Sequence, residues 1–351
     1  MARSHLTLAA LATSAVPGLD VAAAQPFTSG RQGDFDSALL TARDGRHFLV
    51  RVANSEVAAK AQSAELAALG ALSSGVRTRL PFSLSSLVGQ VPIKPREGRP
   101  GGRAIVSEFV YGRRTSLDLM QPTTPLPESV AHALAAVHSL PTSVIIDAGL
   151  PVVTAMDSLR SVVGLMDRAA STSMVPASLL SRWESATDDT ALWQFQPTVI
   201  HGAMSADVLL HDQDGAISGV IGWSDLRVGD PARDLSWALS APSPDAVDTV
   251  FATYSAARQG AADREIRRRA MLYAELELAR WLLYGLEAKD RAIVEDAVQM
   301  LDILVDSVRG DQQGSLTHET GPILDVDEVR QMLAERPQVA GQSGPRGTLA
   351  E

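Results

Sequence analysis

The sequence predicts an α+β protein of two lobes, a small mixed β/α lobe followed by a mainly helical lobe. A chain of 351 residues exceeds the length at which one hydrophobic core usually divides. Its early part holds strand-like runs around a strong turn signal, whereas helical spacing of apolar residues dominates after residue 129. The composition, with 45% hydrophobic and 21% charged residues, is that of an ordinary globular protein.

The first 24 residues admit two interpretations. Arg3, an apolar run over 6–16 and small residues over 21–24 are typical of a signal peptide. The alternative is an amphipathic helix that ends at Pro17, and we favour it because threonines and a serine dilute the apolar run. Its predicted face holds Leu6, Ala9, Ala10 and Thr13. No later segment approaches the roughly 18 apolar residues that a membrane span requires, so no membrane partner is expected.

Residues 33–52 predict a β-hairpin. Two strand-like runs, Ser37–Ala42 and His47–Val52, flank Asp44-Gly45, which is a strong turn signal. Side chains alternate between the two faces of a strand. The second run therefore divides into one face with Phe48, Val50 and Val52 and another with Leu49 and Arg51.

The rest of the first lobe holds one helix, one loop and one strand. Helical spacing covers Glu56–Leu72, prolines and glycines over 92–102 mark a loop, and Ala104–Tyr111 is strand-like. The second lobe contains predicted helices at 129–140, 158–170, 176–185, 263–286 and 291–308. A β insertion interrupts them, with strand-like runs at 198–201, 208–210 and 216–223.

These elements define the expected domain boundaries. The first lobe spans 1–110 and the helical lobe spans 111–308. Residues 309–351 are rich in glycine and polar residues and show little periodicity, which predicts a mostly disordered tail. A short helix over 325–335 is the exception, because its apolar residues share one face.

Charge and cysteine content exclude several classes of function. The chain has 31 Lys+Arg against 41 Asp+Glu, a formal net charge of −10, and such an acidic protein repels nucleic-acid backbones. It contains no cysteine, which excludes disulfides, catalytic thiols and cysteine-based metal sites. We expect a cytoplasmic protein with neither a nucleic-acid nor a membrane partner.

The most specific segment runs from Val199 to Trp237. It reads V-I-H-G-A-M-S-A-D-V-L-L and then G-V-I-G-W-S-D-L-R-V-G-D-P-A-R-D-L-S-W. This segment resembles the catalytic core of the aminoglycoside/macrolide phosphotransferases, whose pattern is H-G-D-x-x-x-x-N, then I-D-W and G-D-P-x-x-D-L. The resemblance covers roughly residues 5–308. Segments at 33–37, 48–52 and 140–143 are similar to the macrolide 2'-phosphotransferase branch in particular.

The resemblance implies a protein-kinase-like bilobal fold and a phosphotransferase activity. Such an enzyme uses ATP or GTP with Mg²⁺ as cofactor. It transfers the γ-phosphate of the nucleotide to a hydroxyl of a macrolide- or aminoglycoside-like ligand. For this chemistry the protein supplies a carboxylate that positions the hydroxyl, ligands for the metal, and cationic side chains that contact the phosphates.

Three functional positions of the resembled pattern lack a functional side chain. Ala203 stands where the family has its base, and Val208 and Gly222 stand where it has metal ligands. A methyl group, an isopropyl group and a hydrogen cannot coordinate Mg²⁺, which requires oxygen. A missing base alone typically costs ~10²–10⁴ in rate. We expect reduced or absent activity; the alternative is a non-catalytic, pseudokinase-like ligand-binding or regulatory protein that needs no cofactor.

Neighbouring side chains are the candidates for replacing the lost groups. Asp225 lies three residues after Gly222 and is the candidate metal ligand, and Asp207 lies one residue before Val208. The alternative for both is a solvated loop carboxylate. His201 belongs to the catalytic loop by resemblance, where a packing and hydrogen-bonding role is favoured over proton transfer.

Residues of the first lobe supply the candidate nucleotide site. The resemblance places Arg51 where many kinases have a phosphate-binding lysine, and Glu65 where they have its orienting glutamate. Gly30 and Gly33 form a candidate phosphate loop, because glycines allow close backbone approach. Glu108 and Val110 form the candidate hinge whose backbone meets the base. Each candidate has a structural alternative. Arg51 and Glu65 could be an exposed strand arginine and a residue of a solvated helix face, the two glycines could form an ordinary turn, and the hinge segment could be a buried strand.

Asp230 and Asp234 are best explained structurally. Asp230 precedes Pro231, a pairing typical of a helix start. The resemblance implies that Asp234 braces the catalytic loop.

Overall fold

A five-stranded antiparallel sheet occupies the early part of the chain. The computed structural model describes residues 3–27, 33–95, 101–258, 263–310 and Leu316. The strands follow the order β1-β2-β3-β5-β4. Their bounds are β1 Val21–Pro26, β2 Phe35–Ala42, β3 His47–Ala53, β4 Leu87–Ile93 and β5 Gly102–Glu108. The predicted hairpin is confirmed as β2 and β3, which are paired from Phe35 with Ala53 to Thr41 with His47.

The two faces of β3 have different neighbours, as the alternation predicts. Phe48, Val50 and Val52 are buried with Leu8 and Ala12 of helix α1 (His5–Ala15) in one hydrophobic core. The opposite face of β3 is partly open and lines a cavity. The sheet therefore offers one packed face and one face that is available to a ligand.

The favoured N-terminal helix is present, but its buried face differs from the predicted one. Ser4 caps α1 by accepting a hydrogen bond from the Thr7 N–H at 3.2 Å. Leu8 and Ala12 contact the sheet, while Leu6 is 67% exposed. The apolar residues of this segment are nearly evenly spaced around the helix, so their pattern does not select the buried side.

Two strands of the sheet are absent from the sequence prediction. Half of β1 is alanine, and the strand shows no alternation and a single β-branched residue, Val21. β4 contains Pro92 within a segment that the prolines marked as a loop. Because β4 is an edge strand, a residue without an N–H is tolerated there.

The rest of the described chain is mainly helical and surrounds a second hydrophobic core. Its helices include the predicted ones, and Pro244–Ala257 is a helix that the prediction lacks. The helices are α2 Glu56–Ala71, α3 Ser74–Arg77, α4 Leu126–His138, α5 Ser143–Asp147, α6 Ala155–Ser171, α7 Ala177–Asp188, α8 Ala232–Leu235, α9 Pro244–Ala257, α10 Ile266–Ala288 and α11 Arg291–Gly310. Trp183 and Trp223 are among the largest side chains that are fully buried.

Short strands hold the loops of the motif segment. β7 (Thr198–Ile200) pairs with β10 (Arg227–Gly229). β6 (Arg113–Arg114), β8 (Leu209–His211) and β9 (Ile217–Val220) form a three-stranded sheet. The predicted β insertion is thus present, with a shorter last strand.

Little of the predicted tail lies within the described residues. Helix α11 ends at Gly310, and the helix expected over 325–335 lies outside the described ranges. Within the described ranges, no helix combines the length and apolar character needed to cross a membrane.

Candidate active site

The loop that follows β7 is held by one buried carboxylate. The backbone N–H groups of His201 and Gly202 donate to Asp234, at 2.6 and 2.8 Å. The ring of His138, at the end of α4, contacts the same carboxylate through Nε2 at 3.1 Å. Asp234 lies in α8, so a single side chain joins this helix, α4 and the loop.

The hydrogen bonds of Asp234 decide its charge state. Burial raises the pKa of this carboxyl, but the bonds from His138 and the Gly202 N–H outweigh burial and hold the pKa below its usual value. Tyr254 contacts Nδ1 of His138 at 2.8 Å and fixes the ring. A charged carboxylate at this position can therefore brace the loop.

The His201 side chain points away from solvent and from the cavities. Its Nε2 donates to the Ile221 carbonyl at 3.0 Å, and its ring meets Trp223 edge-on, with the centroids 4.7 Å apart. Burial lowers the pKa of His201 in spite of the nearby Asp234. A neutral, enclosed imidazole packs the loop and does not face a ligand.

The three positions without functional side chains lie close to the loop. Ala203 is exposed and lines a cavity of about 450 Å³. Gly222 and Val208 face each other, since a Cβ on Gly222 would lie 3.2 Å from the Val208 Cγ1. Gly222 has a φ of +79°, which favours glycine. The two metal-ligand positions of the resembled pattern are therefore neighbours in space, and neither side chain offers oxygen.

The candidate substitutes do not assemble a magnesium site. Asp225 accepts a hydrogen bond from the Ser224 hydroxyl at 3.1 Å and lies 3.5 Å from a terminal nitrogen of Arg227. Asp207 is exposed, and no cavity described for this chain includes both aspartates. Among the described residues, no three His, Asp or Glu side chains cluster as metal ligands would. One exposed carboxylate beside an arginine does not fit Mg²⁺, which prefers several oxygen ligands.

The open face of the sheet lines a second cavity, of about 320 Å³. Its walls are mostly apolar, with Leu49, Leu69, Ile105, Leu210 and Ile221 among the lining residues. Arg51, Glu65, Ser107 and Glu108 add polar groups on one side. An apolar cavity with a few convergent polar groups is typical of a small-molecule site.

Arg51 and Glu65 meet in this cavity. A terminal nitrogen of Arg51 lies 2.7 Å from a Glu65 oxygen, and both side chains are largely buried. The guanidinium also lies over the Phe35 ring, 4.4 Å from the centroid. The pair that the resemblance implied thus places a cation on the cavity wall.

The hinge segment contributes Glu108 and Val110 to the wall of the same cavity. The Glu108 N–H donates to the Ser86 carbonyl at 2.9 Å, and the Glu108 carbonyl accepts from the Ser85 hydroxyl at 3.3 Å. Val110 lines the cavity, and its backbone N–H and carbonyl have no hydrogen-bond partner within the described ranges.

The candidate phosphate loop is only partly described. Gly33 has a φ of +99° in the turn before β2, and it is not among the residues that line the cavity. Gly30 lies outside the described residues.

Asp230 belongs to a separate buried network. It accepts the Ala232 N–H at 3.0 Å at the start of α8 and pairs with Arg269 through two contacts at 2.8 and 3.1 Å. Tyr273 donates to it at 3.1 Å. Asp230 is therefore structural, as its position before Pro231 suggests, but the sequence gives no sign of its partners on α10.

Sequence reasoning also missed His138 and three arginines beside Ala203. His138 is 96 residues from Asp234, and nothing in the chain between them indicates the contact. Arg227 and Arg233 lie inside the motif segment, and Arg280 lies on α10. Two arginines that flank G-D-P were a visible signal, but their convergence with Arg280 requires the fold.

Comparisons with known proteins agree with this architecture. A family model described as the phosphotransferase enzyme family matches residues 23–273. The uncharacterised protein YcbJ of Bacillus subtilis (strain 168) is 27% identical over 119 residues, which are 34% of this chain and 39% of that protein. The match therefore spans well under half the length of that curated relative.

Solved structures share the fold at low identity. A macrolide 2'-phosphotransferase type I has a TM-score of 0.66 and 23% identity, over 86% of this chain and 98% of its own. Macrolide 2'-phosphotransferase MphH from Brachybacterium faecium has a TM-score of 0.68 and 18% identity, over 85% and 98%. The GDP complex of wild-type aminoglycoside 2'-phosphotransferase-IIIa has a TM-score of 0.68 and 19% identity, over 88% and 100%.

These likenesses confirm the predicted α+β, protein-kinase-like fold. The family match begins in β1, includes the braced loop and the Asp230 segment, and ends in α10. The chain belongs to the phosphotransferase enzyme family.

Proposed function

We propose that this protein binds a nucleotide and a small molecule but has lost most or all magnesium-dependent phosphoryl transfer. One observation carries the proposal. The loop keeps its bracing by Asp234, whereas Ala203, Val208 and Gly222 place no oxygen where transfer requires it. Such a site retains a binding scaffold and lacks the groups that act on the transferred phosphate.

The cavity under the sheet supports nucleotide binding. Its apolar walls suit a base, and the N–H and carbonyl of Val110, which have no partner in the part of the chain that the structure describes, can pair with the edge of that base. Arg51, held by Glu65, supplies a positive charge for phosphate oxygens. ATP and GTP both meet this description. We propose a first lobe over 1–110 and a second over 111–308 on either side of the nucleotide.

The cavity beside Ala203 supports a separate small-molecule ligand. Its volume of about 450 Å³ is in the range of small-molecule pockets. The solved neighbours are named for macrolides and aminoglycosides, and we propose that the ligand of this protein shares their hydroxyl groups but not the positive charge of an aminoglycoside. No step through Mg²⁺ is assigned, because the residues do not fit the ion.

Transfer of labelled γ-phosphate tests the proposal. The purified protein is incubated with ATP or GTP, Mg²⁺, and erythromycin or kanamycin, beside a triple variant carrying Ala203→Asp, Val208→Asn and Gly222→Asp. The wild type should transfer at least ~10²-fold more slowly than the triple variant, because the variant restores a carboxylate and oxygen ligands. The matched control is a triple variant that carries Ala203→Asn with the same Val208→Asn and Gly222→Asp substitutions.

Ordinary wild-type turnover would overturn the proposal. Phosphotransferases of this mechanistic class turn over at about 1–100 s⁻¹. A wild-type rate in that range would mean that groups other than those at 203, 208 and 222 carry the reaction. Loss of that rate in Asp225→Ala would identify the replacement ligand.

A further inference from the structure

Three arginines surround the cavity beside Ala203. Arg227 comes from β10, Arg233 from α8 and Arg280 from α10. All three line both the 450 Å³ cavity and a smaller one of about 80 Å³. Three separate elements thus direct guanidinium groups toward one volume.

The guanidinium groups have few protein partners within the described ranges. A terminal nitrogen of Arg227 donates to the Gly202 carbonyl at 3.1 Å and lies 3.5 Å from Asp225. The Nε of Arg280 lies 3.2 Å from Glu277 without hydrogen-bond alignment. Arg233 lies 5.8 Å from the centre of the Tyr273 ring and makes no ion pair with a described residue. Fifteen N–H donors on three arginines therefore meet very few acceptors.

A fourth donor belongs to the same wall. The indole N–H of Trp237 is buried without a partner among the described residues, as is the Nε of Arg227. Both residues line the larger cavity. Buried polar groups in native proteins are normally paired, and exceptions often mark a site completed by a ligand.

The charge at this cavity is positive. The larger cavity is lined by three arginines and by two acidic residues, Asp225 and Glu277, which leaves a formal charge of about +1. Asp230 lines the smaller cavity and is already engaged by Arg269. Burial lowers the pKa of Arg227 and Arg280, and the charge of Arg233 lowers both further. The arginines thus repel one another, and a bound negative charge would relieve the repulsion.

We propose that the cavity beside Ala203 binds a small molecule through a phosphate or carboxylate group held by Arg227, Arg233 and Arg280. Guanidinium groups match the geometry of both anions. A polycationic ligand such as an aminoglycoside is disfavoured, since it would meet like charge. The inference rests on the small-molecule cavity of the proposed function but not on nucleotide binding or phosphoryl transfer.

Calorimetric titration at constant ionic strength tests this inference. The probes are inorganic phosphate, glucose 6-phosphate and gluconate, with glucose as the neutral control and kanamycin as the cationic one. At least one anion should bind the wild type, and Arg233→Gln and Arg280→Gln should each weaken it by about tenfold or more, as expected for a lost charged hydrogen bond. If inorganic phosphate binds as tightly as glucose 6-phosphate, the ligand of the site is the free anion. Tighter binding of glucose 6-phosphate or gluconate would assign it to an organic acid.

Matched variants separate this site from other arginines. Arg291→Gln removes an exposed arginine of α11 and should leave anion affinity unchanged. Arg51→Gln tests the nucleotide cavity and should also leave it unchanged. Arg280→Gln loses the contact with Glu277 and is relieved of repulsion from the other two arginines, so its apo melting temperature should stay close to that of the wild type. A cooperative transition at that temperature would show that lost binding is not misfolding.

Three results of the anion titrations would overturn the inference. They are the absence of heat above glucose for every anion, equal anion affinity in the wild type and both cavity variants, and loss of binding in Arg51→Gln alone. Tighter binding of kanamycin than of the anions would also contradict it. Failure of the inference would leave the nucleotide proposal intact, because nucleotide binding is measured at a different cavity.

Discussion

Gly202 shows how tightly single residues constrain the loop of the site. Its φ of +85° lies in the left-handed region, which costs an alanine about 1–2 kcal/mol. A Cβ at this position would also lie 2.3 Å from the Asp225 carbonyl oxygen, which is backbone and cannot rotate away. The glycine of H-G is therefore required by conformation and by close approach together.

Gly202→Ala should destabilise the protein by at least about 3 kcal/mol, because strain and a backbone clash add. Gly18→Ala is the matched control, since Gly18 has a φ of +82° and open space around it, and it should cost about 1–2 kcal/mol. Urea unfolding of both variants measures the difference. Equal losses would show that the clash is relieved by movement of the loop.

Asp234 gives the site a defined response to acid. Its folded-state pKa is lowered below the usual 3.8, so its charge stabilises the fold above that value, and the stabilisation is lost as pH falls through the lower folded pKa. Asp234→Asn should cost about 2–4 kcal/mol at pH 7, because the amide cannot accept from every donor that faces it. The variant should also lose less stability than the wild type between pH 5 and 3.

Unfolding curves measured from pH 3 to 7 check this prediction. The exposed Asp207→Asn is the control and should change stability by less than about 0.5 kcal/mol at pH 7. A variant with wild-type stability at pH 7 would mean that the loop does not depend on the carboxylate.

At the scale of elements, α1 completes the core of the five-stranded sheet. Leu8 is 1% exposed and packs with the buried face of β3, whereas Leu6 is 67% exposed. Leu8→Ala should therefore destabilise the protein by about 2–5 kcal/mol, and Leu6→Ala by less than about 0.5 kcal/mol. Thermal unfolding of the two variants measures this. Similar, small losses would mean that α1 contributes little to the sheet.

The success of sequence reasoning depended on whether an element carries its own pattern. The β2–β3 hairpin was predictable because Asp44-Gly45 sits between alternating runs, and the same alternation placed Arg51 on the face opposite the buried one. The pairing of Arg51 with Glu65 was implied only by the family resemblance. β1 was not predictable from alanines, nor the buried face of α1 from a segment that is apolar nearly all round. The His138–Asp234 contact and the arginine cluster arise only when distant segments pack.

At the scale of the whole molecule, α2 joins the helical core to the open face of the sheet. Its end packs into the helical core through Ala68 and Leu69, while its Glu65 pairs with Arg51 of the sheet. The cavity that we propose for the nucleotide is lined by residues of α2 and of the sheet, and the loop with Ala203 borders a different cavity that is lined by three arginines. The architecture of a phosphotransferase is thus retained around a site that lacks oxygen ligands for magnesium.

Calorimetric titration of the wild type with ATP and with GTP, each with and without Mg²⁺, tests this central claim most directly. Because positions 208 and 222 offer no oxygen ligand, Mg²⁺ should change the nucleotide affinity by less than about threefold. Such a change corresponds to roughly 0.6 kcal/mol of binding free energy. Arg51→Gln should weaken binding in both conditions. An affinity that rises tenfold or more with Mg²⁺, and loses that gain in Asp225→Ala, would contradict the claim.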